Sequence, residues 1–241
     1  MNEFIQAVTS LGGFSLGAIG TLLAIFGLIK NNKTQKRAQR IESNQLLSTA
    51  WDILGGHSGA MWIFGENNVD DRLEEAKRLI VGALLKDPNY PKAHMYCGVY
   101  WQFMGDYGKA LDCHRKAIEL DNTYSSAYNN LGKTYRQLGN RDAALENYRL
   151  ALRHNEHFVY ARYNLGLTLL DIGDAQGAIA ELEQVTQRRH CPAKVHTKLA
   201  QAYRKAGFAS KADEEFRIAL NLASDEEARE ELRTLFRGSS P

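Results

Sequence analysis

The chain has 241 residues, of which 44% are hydrophobic and 24% charged, so it is long enough and apolar enough for one or two folded domains. A formal net charge of +2 is too small to indicate affinity for nucleic acid or membranes by itself, so only a local concentration of charge could indicate a charged partner. Three cysteines without a paired motif provide no disulfide framework and are typical of a reducing compartment.

The N-terminal segment predicts a membrane span. Residues 4–29 carry no charged side chain, and a helix over residues 11–29 would rise about 28 Å, close to the roughly 30 Å of hydrocarbon in a bilayer. Lys30 follows directly, and the basic juxtamembrane segment, residues 31–42, adds Lys33, Lys36, Arg37 and Arg40. The positive-inside rule then places the rest of the chain on the cytoplasmic side. A cleaved signal peptide and a helix lying in the membrane interface are the alternatives.

Two glycines within this span are spaced for contact between membrane helices. Gly13 and Gly17 stand four residues apart, a spacing that lets two helix backbones approach closely and is compatible with a homodimer. The alternative is that glycine is simply common in membrane helices. The sequence of the span therefore leaves dimerisation open.

Residues 43–90 predict an irregular pair of helices separated by an insertion at residues 55–71. The sequence "NQLLSTAWDILGG" predicts the first helix, and Ala76 and Ala83 mark the second. These alanines lie one period upstream of the repeat described next. The Gly-rich insertion has two interpretations: a loop that contacts a partner or a membrane, or a connection that buries Trp62 and Phe64.

From residue 91 to 226 one pattern occurs four times with a period of 34 residues, giving units 91–124, 125–158, 159–192 and 193–226. Its columns are a small residue (Gly98, Gly132, Gly166, Ala200), a glycine (Gly105, Gly139, Gly173, Gly207), an alanine (Ala110, Ala144, Ala178, Ala212) and a large residue (His114, Tyr148, Leu182, Phe216). We interpret each unit as two helices that cross closely at the small residue, with the large residue filling the space beside it. One unit cannot bury its apolar face alone, so neighbouring units must stack.

The lines "AYNNLGKTYRQLGNRDAALENYRLAL" and "GDYGKALDCHRKAIELD" resemble the tetratricopeptide repeat family. The resemblance implies an all-α, right-handed superhelical solenoid, here preceded by one transmembrane helix. His94, Arg162 and His196 occupy the position where the family usually has tryptophan or another large apolar residue, which predicts looser helix starts. The run "DEEAREELRTLF" predicts a capping helix with a polar outer face, and residues 227–241 comprise its end and a frayed tail.

The resemblance also implies a concave groove lined by the first helix of each repeat. The residues expected to bind a peptide there are Lys92, Asn129, Asn130, Lys133, Arg136, Tyr160, Asn164, Lys194, Lys198 and Arg204. Together with Asp171, Gln201 and Lys205 these residues are called the groove face below; it carries seven basic side chains and one acidic side chain. This imbalance predicts an acidic peptide or a C-terminal carboxylate as the ligand, whereas the alternative is a solvated helix face.

The sequence gives no indication of catalysis. It contains no Gly-rich phosphate loop, HExxH motif or CxxC pair, and its histidines fall near turns or on different helix faces, so no enzyme, metal or cofactor is expected. Nucleic acid is not expected as a partner, because no readout motif accompanies the basic residues. The predicted function is a membrane-anchored, single-pass protein–protein interaction adaptor or assembly factor. The alternative is a non-catalytic structural subunit of a membrane complex that uses its convex faces and its span.

Overall fold

The computed structural model describes residues 16–54, 69–188 and 191–237. All regular elements in those ranges are α-helices, namely α1 (Leu16–Ile53), α2 (Val69–Lys86), α3 (Pro91–Phe103), α4 (Tyr107–Leu120), α5 (Ser125–Gln137), α6 (Arg141–His154), α7 (Val159–Asp171), α8 (Ala175–Thr186), α9 (Ala193–Lys205), α10 (Ala209–Leu222) and α11 (Glu226–Arg237). The chain divides into unit 1 (Met1–Tyr90), with α1 and α2, and unit 2 (Pro91–Pro241), with α3 to α11.

In unit 1, α1 and α2 pack against each other through small and aliphatic side chains. Leu47 and Ala50 of α1 are buried, as are Ala76, Ile80 and Ala83 of α2. Ala76 and Ala83 continue the alanine spacing of the downstream repeats, so this hairpin buries small side chains at matching positions. Residues 44–53 of the segment predicted as its first helix lie within α1, which also contains the whole of residues 31–42.

Several predictions for the N-terminal third fall on residues outside the described ranges. Residues 4–15, with Gly13, lie outside them, as do residues 55–68, with Trp62 and Phe64; α2 begins at Val69, inside the predicted insertion. Residues 16–29 of the predicted span form the first part of α1. Within the described ranges, no helix combines the length and the hydropathy that a bilayer crossing requires.

Unit 2 repeats one helical hairpin four times, as α3–α4, α5–α6, α7–α8 and α9–α10, and α11 packs on α9 and α10. A glycine follows each first helix in the left-handed conformation that disfavours a β-carbon, with φ of 77° at Gly139. The next residue, Asn140, caps the second helix, because its Oδ1 accepts the Ala143 N–H at 3.1 Å. The glycine turns predicted from the sequence are therefore confirmed.

The close crossing of the two helices in a hairpin depends on glycine. A β-carbon on Gly132 would lie 2.7 Å from Cε1 of Tyr148, and one on Gly166 would lie 2.8 Å from Cγ of Leu182. Non-bonded carbon atoms prefer separations of about 3.5–4.0 Å, so a larger residue would force the helices apart. Both large side chains are fully buried in a core that runs from α6 to α10. The predicted contact between the small and large columns is thus confirmed for the hairpins α5–α6 and α7–α8.

Two residues that depart from the repeat pattern, Arg162 and His196, form polar contacts between the two helices of their hairpins. Arg162 in α7 places Nη1 2.8 Å from Oε2 of Glu181 in α8, and its Nη2 donates to the Glu156 carbonyl at 2.8 Å. His196 in α9 places Nδ1 2.8 Å from Oε2 of Glu215 in α10. A polar contact therefore replaces the apolar one in these two repeats, and the expectation of looser helix starts stays a prediction.

We expect Glu181→Gln to lower the free energy of unfolding by about 1–3 kcal/mol, since it leaves a largely buried guanidinium without its counter-charge. The side chains of Arg162 and Glu181 are only 19% and 23% exposed, which limits solvent screening. The matched control is Glu119→Gln, which removes the partner of Lys116 from an exposed pair and should change stability by less than about 0.5 kcal/mol. Urea denaturation followed by circular dichroism measures both, and equal effects would contradict the assignment.

Candidate functional site

The first helices of unit 2 lie beside one another, with α3 contacting α5, α5 contacting α7 and α7 contacting α9. This arrangement places the groove-face residues of neighbouring repeats within hydrogen-bonding reach. The contacts that they make decide which of their polar atoms remain available to a ligand.

Asparagine side chains link the first helices at the centre of the groove face. Asn164 Nδ2 in α7 donates to Asn129 Oδ1 in α5 at 2.9 Å. Since each amide has a donor and an acceptor end, the NH2 of Asn129 and the side-chain oxygen of Asn164 are not used by this bond. Asn130 differs, because its Nδ2 donates to the Ser126 carbonyl at 2.9 Å and lies 3.4 Å from Met95 Sδ. Among these three asparagines, the Asn129–Asn164 pair therefore offers an amide donor and an amide acceptor together.

The acidic residue of the groove face is neutralised by one of the basic ones. Arg136 in α5 donates to Asp171 Oδ2 in α7 from Nε at 2.9 Å and from Nη2 at 2.6 Å. The residues are 35 apart, as are Asn129 and Asn164, so both contacts join neighbouring repeats at the same offset. Arg136 is thus committed to a contact within the chain.

Three lysines keep their positive charge uncompensated. Lys133, Lys198 and Lys205 have no carboxylate partner among the described residues, and Lys198 Nζ donates to the neutral Oε1 of Gln201, at 3.0 Å. Burial lowers the pKa of Lys198, Asp171 opposes this change, and the charges of Arg136 and Lys205 add to it. Desolvation also lowers the pKa of Lys133, although its side chain as a whole is exposed. This part of the groove face is electropositive.

One aromatic side chain, Tyr160, belongs to the groove face, and another, Tyr96, lies beside the groove-face residue Lys92. Tyr160 is 71% exposed, and its ring contacts Phe158 edge-on at a centroid separation of 6.2 Å. Lys92 Nζ lies 5.8 Å from the centre of the Tyr96 ring. Tyr160 therefore offers a ring face to a ligand without any rearrangement of the chain.

Helix α11 covers the C-terminal end of the groove face. Lys194 Nζ lies 2.8 Å from Glu231 Oε1, and Gln201 donates to the Leu235 carbonyl. Arg204 donates to the Phe236 carbonyl and stacks over the Phe236 ring at 4.1 Å. Lys194 and Arg204 are accordingly engaged by α11, where the sequence had predicted only a capping helix.

Two signals in the sequence could have revealed these pairings. A spacing of one period plus one residue joins Asn129 to Asn164 and Arg136 to Asp171, and a spacing of 19 residues joins Arg162 to Glu181. The acid that neutralises Lys194 carries no such signal, because Glu231 belongs to the cap rather than to a repeat.

Comparisons with known proteins agree with this architecture. Residues 92–157 and residues 159–189 each match a family model described as a tetratricopeptide repeat. The structure is similar to TTC0263, a tetratricopeptide-repeat protein of Thermus thermophilus, at 19% identity and a TM-score of 0.63 over 81% of this chain and 99% of that one. The comparison with curated proteins gave no match.

Two further solved structures share the fold. Pseudomonas aeruginosa pilF aligns at 18% identity and a TM-score of 0.63, over 84% of this chain and 90% of that one. YrrB, described as a tetratricopeptide-repeat protein with an unusual peptide-binding site, aligns at 22% identity and a TM-score of 0.54, over 68% and 85%. Residues 92–157 and 159–189 of this chain therefore match tetratricopeptide repeats, and the described part of unit 2 has an all-helical solenoid fold.

Proposed function

We propose that unit 2 is a non-catalytic protein-interaction module whose groove face binds an acidic peptide segment or a C-terminal tail. The observation that carries the proposal is that Lys133, Lys198 and Lys205 form no ion pair among the described residues, whereas Arg136 and Asp171 of the same predicted groove face neutralise each other. An incoming carboxylate would supply the missing counter-charge. The proposed site omits Lys194 and Arg204, because both contact α11.

The energies show why the lysines need help from other groups. Three charge-assisted hydrogen bonds would contribute about 5–9 kcal/mol if well shielded, before the entropic cost of ordering the peptide. A micromolar Kd corresponds to about 8 kcal/mol, so further contacts are needed. The free ends of the Asn129–Asn164 pair match the N–H and C=O groups of a peptide backbone, and Tyr160 can stack on an apolar side chain. The peptide-binding site in the description of YrrB is in keeping with this use of the fold.

We further propose that residues 4–29 anchor the repeats to a membrane, with the repeats on its cytoplasmic side. The support comes from the sequence: an uncharged segment is followed by five basic residues before the first acid, Glu42. The chain would then act as an adaptor or assembly factor that holds a soluble protein at the membrane. Homodimerisation through Gly13 and Gly17 belongs to the same proposal.

A structural subunit of a larger complex is the second candidate. It is favoured by the extent to which groove-face residues already bind other residues of the chain, since Arg136, Lys194 and Arg204 all have partners within it. In that case the groove would stay empty, and the convex faces would carry the permanent contacts.

Peptide binding by three forms of the full-length chain tests the proposal. The first is unchanged, the second carries Lys133→Gln, Lys198→Gln and Lys205→Gln, and a matched control carries Lys109→Gln, Lys116→Gln and Lys211→Gln on the second helices. Fluorescence polarisation would follow a short glutamate-rich peptide with a free C-terminal carboxylate, beside its glutamine-for-glutamate analogue and its C-terminal amide. Circular dichroism checks that all three forms are folded.

We expect the glutamate-rich peptide to bind the unchanged chain and to lose about tenfold or more in affinity with the groove variant, against less than about twofold with the control. Binding should also weaken as salt rises from about 50 to 500 mM, because the Debye length shortens. Equal affinity for the glutamine analogue, or equal losses in both variants, would remove the groove from consideration and favour the structural subunit. The C-terminal amide distinguishes a tail from an internal segment.

A further inference from the structure

A second basic cluster lies in unit 1 and shares no residue with the groove face. It lines a cleft of about 410 Å³ between α1 and the turn that follows α2. The polar side chains that line the cleft include Lys36, Arg37, Gln39, Arg40, Lys86 and Asn89. Four cationic side chains thus surround one cavity. What the cavity can bind depends on which of them lack an ion-pair partner.

Asp87, the acidic residue in the cleft wall, already accepts hydrogen bonds from other residues of unit 1. Asp87 Oδ2 accepts from Arg40 Nε at 3.3 Å and from Nη2 at 3.1 Å, and its Oδ1 accepts the Asn89 N–H at 3.2 Å. Lys86 forms an ion pair with Glu42. Arg40 and Lys86 are therefore neutralised, and the Arg40–Asp87 pair forms part of a fixed wall.

That wall is held in place by an aromatic side chain. The Arg40 guanidinium lies 4.8 Å from the centre of the Tyr90 ring, and the Tyr90 hydroxyl donates to Asn44 Oδ1 at 2.6 Å. Stacking and hydrogen bonding together restrain the Arg40 fork, which lowers the entropic cost of forming the site.

Lys36 and Arg37 supply the uncompensated charge. Both side chains are exposed, and neither has a carboxylate within ion-pair distance among the described residues. Beside them, the amides of Gln39 and Asn89 provide uncharged donors. The cleft thus combines the guanidinium group of Arg37, the ammonium group of Lys36 and two side-chain amide donors. Its own acidic residue, Asp87, is already paired with Arg40.

We propose that this cleft binds a phosphate group. A phosphate offers three or more acceptor oxygens in a tetrahedral arrangement, which suits several donors around a cavity better than the two oxygens of a planar carboxylate do. Because a water molecule takes about 30 Å³ of liquid volume, the cavity has room for a phosphate with its attached group. The same chemistry is found in the head group of an anionic phospholipid and in a soluble phosphate ester, and the experiment separates these sources.

Calorimetric titration of the full-length chain in uncharged detergent micelles tests the site. The probes are inorganic phosphate, glycerol 3-phosphate, and phosphatidylglycerol dissolved in the same micelles, with phosphatidylcholine as the zwitterionic reference. The cleft variant carries Lys36→Gln and Arg37→Gln. The matched control carries Lys33→Gln and Arg78→Gln, which removes the same charge from exposed positions of unit 1 that do not line the cleft.

We expect saturable binding of at least one phosphate probe, weakened about tenfold or more in the cleft variant and less than about twofold in the control. If phosphatidylglycerol binds more tightly than both glycerol 3-phosphate and phosphatidylcholine, the ligand is a lipid head group. If glycerol 3-phosphate binds more tightly than both lipids, the ligand is a soluble phosphate ester. Absence of saturable binding to every probe, or the same loss in both variants, would overturn the proposal. Groove-peptide binding is measured separately, so failure of either site does not bear on the other.

Discussion

Replacing Tyr148 with alanine is expected to lower the free energy of unfolding by about 3–5 kcal/mol. The ring is fully buried, fills the space that Gly132 leaves between α5 and α6, and belongs to the core that continues to α10. Truncation removes its apolar contacts and leaves a cavity that the neighbouring helices cannot close without shifting. Urea denaturation followed by circular dichroism measures the loss.

Two control variants separate cavity formation from other effects at this site. Tyr148→Phe keeps the ring and should change the free energy of unfolding by no more than about 1 kcal/mol. Tyr160→Ala removes an exposed ring and should change it by less than about 0.5 kcal/mol. A cost for Tyr148→Ala that is no larger than the cost for Tyr160→Ala would show that the ring does not support the stack.

Acid should destabilise the chain through His114, which occupies the same column in the first hairpin as Tyr148 does in the second. The imidazole is fully buried, and neither ring nitrogen has a hydrogen-bond partner in the part of the chain that the structure describes. Burial, and to a lesser extent the charge of Lys133, lowers the pKa of His114 to about 3. The imidazole therefore stays neutral in the folded state over a pH range in which it is protonated in the unfolded state.

The direction of the effect follows from the two pKa values. Above the unfolded pKa of about 6.5, His114 is neutral in both states and contributes no pH dependence. Between about pH 6.5 and pH 3 the unfolded state binds one more proton, so stability falls by about 1.4 kcal/mol for each pH unit. From pH 7 to pH 4 the loss amounts to about 3 kcal/mol.

Denaturation at pH 7 and pH 4, compared between the unchanged chain and His114→Phe, measures this loss. The stability difference between them should grow by about 3 kcal/mol in favour of the variant as the pH falls. At pH 7 the variant should be at least as stable, because it buries no polar atom without a partner. Parallel curves for the unchanged chain and His114→Phe would contradict the assignment.

The hairpins of unit 2 could be predicted from the sequence because their determinants are local. Gly139 follows a first helix because its own positive φ angle favours glycine. Gly132 contacts Tyr148, which belongs to the same hairpin. A period of 34 residues repeats both constraints, so one well-formed repeat predicts the others. The long α1 illustrates the opposite case, because no recurring column indicates that one helix continues from residues 31–42 into residues 43–53.

The groove face was less predictable because its chemistry depends on contacts between repeats. The sequence shows seven cations and one acid on that face, but it does not show that Arg136 reaches Asp171 or that Glu231 reaches Lys194. Those distances depend on the rotation from one repeat to the next and on where α11 settles. The count of charges therefore overstated how much positive charge is free.

The pairing of asparagines across α5 and α7 also has an evolutionary consequence. Repeat arrays lengthen and shorten by duplication or loss of whole units, and the stack tolerates this because each unit needs only a neighbour of the same kind. The Asn129–Asn164 and Arg136–Asp171 contacts, however, join two particular units. Inserting one repeat between them would preserve every hairpin while separating the partners by a whole unit. Selection on this surface would thus act on the two repeats as an inseparable block, even though the fold itself permits any number of copies.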